Sequence, residues 1–222
     1  MARARGFTLI ELVVVVSVLG VLSALGFIGY RAATRNANLS AAANELAVRL
    51  TGLKYRAMSE GNDVLLVFVD APGGDSTACG IVDTSKCARY FVLSKPTGWS
   101  LAALDPDDPI AGGTATFVEE KILPRGAHLD FPGVAPTMAA PFSGVLLNDD
   151  ELIATRDDDR KCFAIRYTAR GDVRPEFASG TPYTKPGYAF VLAGNPLEAS
   201  AADQRRGLLV SFPAGILRTF SF

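Results

Sequence analysis

Residues 6–30 read "GFTLIELVVVVSVLGVLSALGFIGY", and a single carboxylate, Glu11, stands at the mouth of this apolar run. From Leu12 to Tyr30 there are 19 residues without a charge, about 28 Å as a helix, which matches a hydrocarbon core of about 30 Å. An unpaired carboxylate at the centre of such a span costs roughly 2.5–3.5 kcal/mol on insertion scales, and less near an interface, so Glu11 calls for a compensating charge. A short basic leader, "MARARG", precedes the run. A secretory signal peptide has the same layout, and Ala24-Leu25-Gly26 is a passable small-x-small cleavage site. The apolar region of a signal peptide is normally about 7–15 residues, however, and gains nothing from an acidic head, so the run reads as a membrane anchor. Arg3 and Arg5 before it are balanced by Arg31 and Arg35 after it, so charge counting leaves the orientation open.

The motif "GFTLIE" at residues 6–11, followed by the apolar run, resembles the processing signature of type IV pilins and of the pseudopilins of type II secretion. The resemblance implies cleavage between Gly6 and Phe7 by a prepilin peptidase and methylation of the new amino terminus on Phe7. It also implies a single-pass anchor in the bacterial inner membrane, with the bulk of the chain in the periplasm or on an extracellular filament. After cleavage, Glu11 would lie four residues from the cationic terminus, on the same helical face. In this family the carboxylate meets the terminus of a neighbouring subunit, turning an isolated charge into a pair in low dielectric. The alternative is a glutamate offsetting the positive end of its own helix, an effect of about 1 kcal/mol or less. Major pilins often carry a proline late in the span; this run has only Gly20, Gly26 and Gly29.

Helical periodicity continues past the span. Leu39, Ala43, Leu46, Leu50, Leu53 and Ala57 recur at alternating spacings of four and three, while Asn44, Arg49, Lys54 and Arg56 fall on the other side. This stripe, rich in alanine and about three heptads long, suits packing on a sheet better than a coiled coil. Gly61 with Asn62 and Asp63 predicts the helix end, and "DVLLVFVD" a strand. Beyond it, short apolar runs separated by turn residues predict antiparallel strands near 63–70, 88–94, 115–123, 144–148, 162–169, 187–193, 207–212 and 215–222. The segment "AAANELAVRLTGLKYRAMSEGNDVLLVF" and the terminal "GLLVSFPAGILRTFSF" resemble the GspH/FimT group of minor pilins and pseudopilins. The expected fold is therefore α+β: a long amino-terminal helix, transmembrane in its first half and amphipathic in its second, packed on an antiparallel β-rich head. The expected organisation is a leader at 1–6, a membrane helix at 7–30, an amphipathic continuation at 31–61 and a head at 62–222.

Composition excludes several functions. With 22 Lys and Arg against 23 Asp and Glu the chain has no global basic surplus for nucleic acid. A DNA-binding minor pilin for uptake is the alternative reading, but the carboxy-terminal basic set is only Arg205, Arg206 and Arg218, ahead of the apolar "TFSF". The one histidine, His128 in "RGAHLDF", has no G-x-S-x-G or phosphate loop for company and reads as a strand-edge residue, so no enzymatic activity and no cofactor are expected. The carboxylates of "DPDDP" and "NDDELIATRDDDRK" do not follow an EF-hand and read as solvated loops, so no metal site is assigned. Cys79 and Cys87 are separated by seven residues, which suits neither a redox C-x-x-C nor a zinc ribbon. In the oxidising periplasm that the resemblance implies, they would close a loop as a disulfide. Cys162 in "KCFAIRY" reads as a buried thiol, with pairing to either of the others left open. The partners implied are other pilins or pseudopilins, the prepilin peptidase and an inner-membrane assembly platform.

Overall fold

A computed structural model describes residues 9–70, 87–123, 127–130, 154–155, 160–176, 187–194 and 205–221. It divides into two compact units, residues 1–38 and 39–222. Helix α1 (Leu9–Glu60) begins in the first and ends in the second, stopping at Gly61, whose φ of 63° is the left-handed conformation of a glycine terminator.

The described part of the first unit, from Leu9 onward, is helix, apolar over most of its length. Leu9–Phe27 is a stretch of 19 residues with mean hydropathy 2.5, long and apolar enough to cross a membrane, and none of it is buried. Within this stretch the Ser17 hydroxyl is satisfied by the helix itself, donating to the Val13 carbonyl at 2.8 Å. The molecule is α+β with a long amino-terminal helix.

In the second unit, strands β1 (Val64–Val69), β2 (Arg89–Thr97), β3 (Thr114–Ile122), β4 (Ala127–Asp130), β5 (Ala154–Thr155), β6 (Lys161–Tyr167), β7 (Val173–Pro175), β8 (Gly187–Gly194), β9 (Arg205–Ser211) and β10 (Leu217–Ser221) follow the helix. They form two antiparallel sheets, one in the order β3-β2-β1-β6-β5 with β7 also on β6, the other β10-β9-β8-β4. The central strand β1, "VLLVFV", is buried at every residue, so it reads as a continuous apolar run instead of an alternation. Its two faces serve two cores.

On one face Val64, Leu66 and Phe68, with Tyr90, Val92, Phe163, Ile165 and Tyr167, meet the whole predicted helical stripe from Leu39 to Ala57, joined by Ala42. Leu208 and Val210 bring the second sheet into that core. Phe68 stacks on Phe163 with ring centroids 4.4 Å apart, and burial alone raises the pKa of the Tyr167 hydroxyl. The helix thus packs on sheet, as its alanine-rich stripe predicts, and flanking residues clamp it. Arg49 pairs with Glu119, Glu45 with Lys121 at 2.9 Å, and the Lys54 ammonium donates to the Ala214 carbonyl at 2.6 Å. On the other face Leu65, Val67, Val69, Phe91, Leu93, Cys162 and Ala164 are covered by Trp99, Leu101 and Leu104 from the β2–β3 connection.

Most strand predictions fall within two residues of the observed elements. Strand β2 is the larger departure. It runs past Pro96 to Thr97, because a register irregularity between Ser94 and Thr97, with Lys95 at φ 53°, lets a proline sit in the pairing without a ladder donor. The run predicted at 144–148 lies outside the described residues.

Candidate functional site

Glu11 falls in the first turn of α1, where a carboxylate also complements the positive helix end. It is exposed, as are the large apolar side chains around it, Leu9, Ile10, Leu12 and Val13. Gly6 and Phe7, the expected cleavage pair, lie outside the described residues. Gly20 and Gly26 have nothing within 4 Å of a built Cβ, so within this chain neither is required by packing. The geometry at this end is that of an uncovered apolar helix carrying one acid near its start.

In the other unit, the described sequence-predicted residues are spread over several elements. His128 lies in β4, an edge strand, opposite Ala193. Among the described residues no group of three or more His, Cys, Asp or Glu side chains could hold a metal ion. The aspartates of the acidic loop "DPDDP" are exposed, as expected of a solvated loop, but each is also bonded within the protein. The Asp105 carboxylate accepts from the Asp107 amide at 2.9 Å and Asp108 from the Ile110 amide at 3.2 Å. Asp107 receives both terminal nitrogens of Arg160, at 2.8 and 2.9 Å, and one from Arg89 at 2.9 Å. Hydrogen bonding from Arg160, with the charges of both arginines, holds the Asp107 carboxyl down at about 2. Arg89 and Arg160, whose side chains are both 9% exposed, were not legible as a pair, since they stand 71 positions apart and only the pairing of β2, β1 and β6 brings them together.

Cys87 is buried just before β2 and is disulfide-bonded, and Cys162 is a buried thiol in β6. Cys79 lies outside the described residues. Of the basic set, Arg205 and Arg206 are in β9 and Arg218 in β10, and the Arg206 guanidinium donates to the Ser40 hydroxyl at 3.1 Å. A shallow groove of about 600 Å³ runs between α1 and β3, lined by Asn44, Val48, Gly52 and Arg56 beside the Glu45–Lys121 and Arg49–Glu119 pairs.

Residues 1–27 match the family model described as "Prokaryotic N-terminal methylation motif". The chain carries that methylation motif. Glu11 and the Leu9–Phe27 stretch fall inside the matched residues, so the methylation motif and the membrane-length helix are one segment. The motif-bearing chain is also similar to the minor pseudopilin EpsH from the Type 2 Secretion System of Vibrio cholerae. That likeness is at 14% identity, with a TM-score of 0.37, over 83% of this chain and 97% of that one.

Proposed function

We propose that this protein is a minor pilin or minor pseudopilin, a structural subunit that helps to prime or cap a type IV pilus or a type II secretion pseudopilus. The observation that carries the reading is the methylation motif over residues 1–27, with an acid in the first helical turn of a membrane-length span that continues into an α+β head. In this reading residues 1–6 are a leader, 7–30 the membrane and filament-core helix, 31–61 its amphipathic continuation and 62–222 the head. The prepilin peptidase cuts between Gly6 and Phe7, Phe7 is N-methylated, and the inner membrane holds the subunit with its head in the periplasm until assembly.

Glu11 is the assembly contact. Its carboxylate takes the cationic terminus of a neighbouring subunit, which gives each a counter-charge where lipid supplies none. The partners are other pilins or pseudopilins and the assembly platform, and no enzymatic step is needed. Cys79 is the partner of Cys87, closing a loop ahead of β2. The DNA-uptake alternative has less support, because the carboxy-terminal basic set is only Arg205, Arg206 and Arg218 in a chain with no basic surplus.

Mass analysis of the membrane-extracted protein tests the processing half: the expected terminus is methylated Phe7. A retained Met1, or a terminus near Phe27, overturns it. Glu11→Val tests the assembly half. Cleavage and insertion should persist, since the span becomes more apolar, while co-purification with filament partners should fall. Normal incorporation of a normally cleaved Glu11→Val protein removes Glu11 from assembly.

A further inference from the structure

The β2–β3 connection, residues 98–113, is a 16-residue loop whose ends meet at the Thr97 and Thr114 pair. It is closed on itself as an Ω-loop is. The Ser100 amide donates to the Gly112 carbonyl at 2.7 Å, the Trp99 indole to Pro109 at 3.0 Å, the Ala111 amide to Asp108 at 3.0 Å and the Gly113 amide to Ile110 at 3.0 Å. A Cβ on Gly112 would lie 2.7 Å from the Trp99 indole nitrogen, so the tryptophan sits directly on the returning backbone. At the neck, Gly98 has φ 63° and nothing within 4 Å of a built Cβ, and β2 loses its register beside it. The loop is therefore well bonded within itself and joined to the sheet by a narrow, glycine-containing neck.

Its attachment to the sheet has two parts. Trp99, Leu101 and Leu104 cover the apolar face that includes Val67, Phe91, Leu93 and Cys162. At the tip, Arg89 from β2 and Arg160 ahead of β6 grip Asp107; Arg89 also donates to the Pro106 carbonyl at 3.1 Å and, on its other side, to the Glu120 carboxylate of β3 at 3.3 Å. The burial is unequal: the guanidinium side chains are 9% exposed, but the Asp107 side chain is 59% exposed. Water and ions reach the carboxylate before they reach the arginines, so the grip can be weakened from outside without unfolding anything beneath it.

We propose that residues 98–113 form a lid that opens as a unit about the β2–β3 neck while the helix and sheets stay folded, with the Arg89–Asp107–Arg160 cluster as its latch. Opening uncovers the second face of the first sheet, Cys162 included. The latch is set by charge, so the lid loosens when Asp107 loses its charge or when salt screens the exposed side of the cluster. Protection of this kind belongs to a local opening with its own equilibrium, separate from that of the whole head.

Cys162 is the internal reporter. The full chain in detergent, wild type and Asp107→Asn, is treated with iodoacetamide across a urea series. Alkylation of the Cys162 peptide is followed by mass spectrometry, and unfolding of helix and sheet by far-UV circular dichroism. In wild type at low urea, labelling should depend on urea much less steeply than global unfolding does. Asp107→Asn should label about tenfold faster or more at neutral pH, with its unfolding transition displaced far less. About 0.5 M NaCl should speed wild-type labelling and narrow its gap to the variant. Labelling that tracks global unfolding at every urea concentration overturns the lid, as does an Asp107→Asn rate within about twofold of wild type. If Asp107→Asn does not fold, the urea and salt dependence of the wild type decides by the same criteria.

Discussion

Asp107 shows how much one residue's role depends on chain that is distant in sequence. Its arginine partners are 18 and 53 positions away, so "DPDDP" alone reads as a turn with surplus charge. The ion pairs depress its carboxyl from 3.8 to about 2. A group whose folded pKa is lowered stabilises the fold fully above its unfolded value and loses that contribution as pH falls through the folded one. The Asp107 contribution should therefore be complete above about pH 4 and disappear towards pH 2. Melting temperatures measured by circular dichroism should fall across that window in wild type, and Asp107→Asn should be lower at neutral pH with a flatter acid limb. Equal acid limbs would mean that Asp107 is not the titrating latch. The position of Glu11, by contrast, stands out from the sequence alone, because an acid at the head of an uncharged run is anomalous without reference to anything else in the chain.

At the scale of elements, the carboxy-terminal half of α1 illustrates both sides of an amphipathic pattern. The buried stripe came straight from periodicity. Leu50, buried in the core that the helix shares with the sheets, should cost about 2–5 kcal/mol when cut to Ala, measured by urea unfolding. The outer side was less legible. Arg49 and Lys54 are used as clamps to Glu119 and the Ala214 carbonyl, leaving Val48 and Tyr55 as the more open positions, 74% and 66% exposed. Val48→Ala should therefore change stability by less than about 0.5 kcal/mol. Gly52 is exposed mid-helix with nothing within 4 Å of a built Cβ. Gly52→Ala should stabilise the head by about 0.5–1 kcal/mol, since alanine loses less backbone freedom in a helix. A destabilised Gly52→Ala head would show that the position is already filled. Strands β4, β5 and β7 were missed because runs of 4, 2 and 3 residues carry no period to detect.

At the scale of the molecule, the division at residues 38 and 39 coincides with the first buried residue of the stripe, Leu39. A chain of residues 39–222 contains both cores and both sheets. It should be soluble without detergent and unfold cooperatively in urea, with the far-UV signature of helix and sheet. Failure to fold would mean that residues before Leu39 support the head. Sequence by itself determined the apolar span, the placing of Glu11 in its first turn, the stripe from Leu39 to Ala57, the stop at Gly61 and most strands, because each depends on neighbours within a few positions and on a period of 3.6 or 2. Only the tertiary structure decided which face of β1 meets the helix and which the loop, that Arg89 and Arg160 share one carboxylate, and that Pro96 lies inside a strand. Those outcomes are set by strand order and register, and pairing partners separated by tens of residues leave no local trace in the order of amino acids.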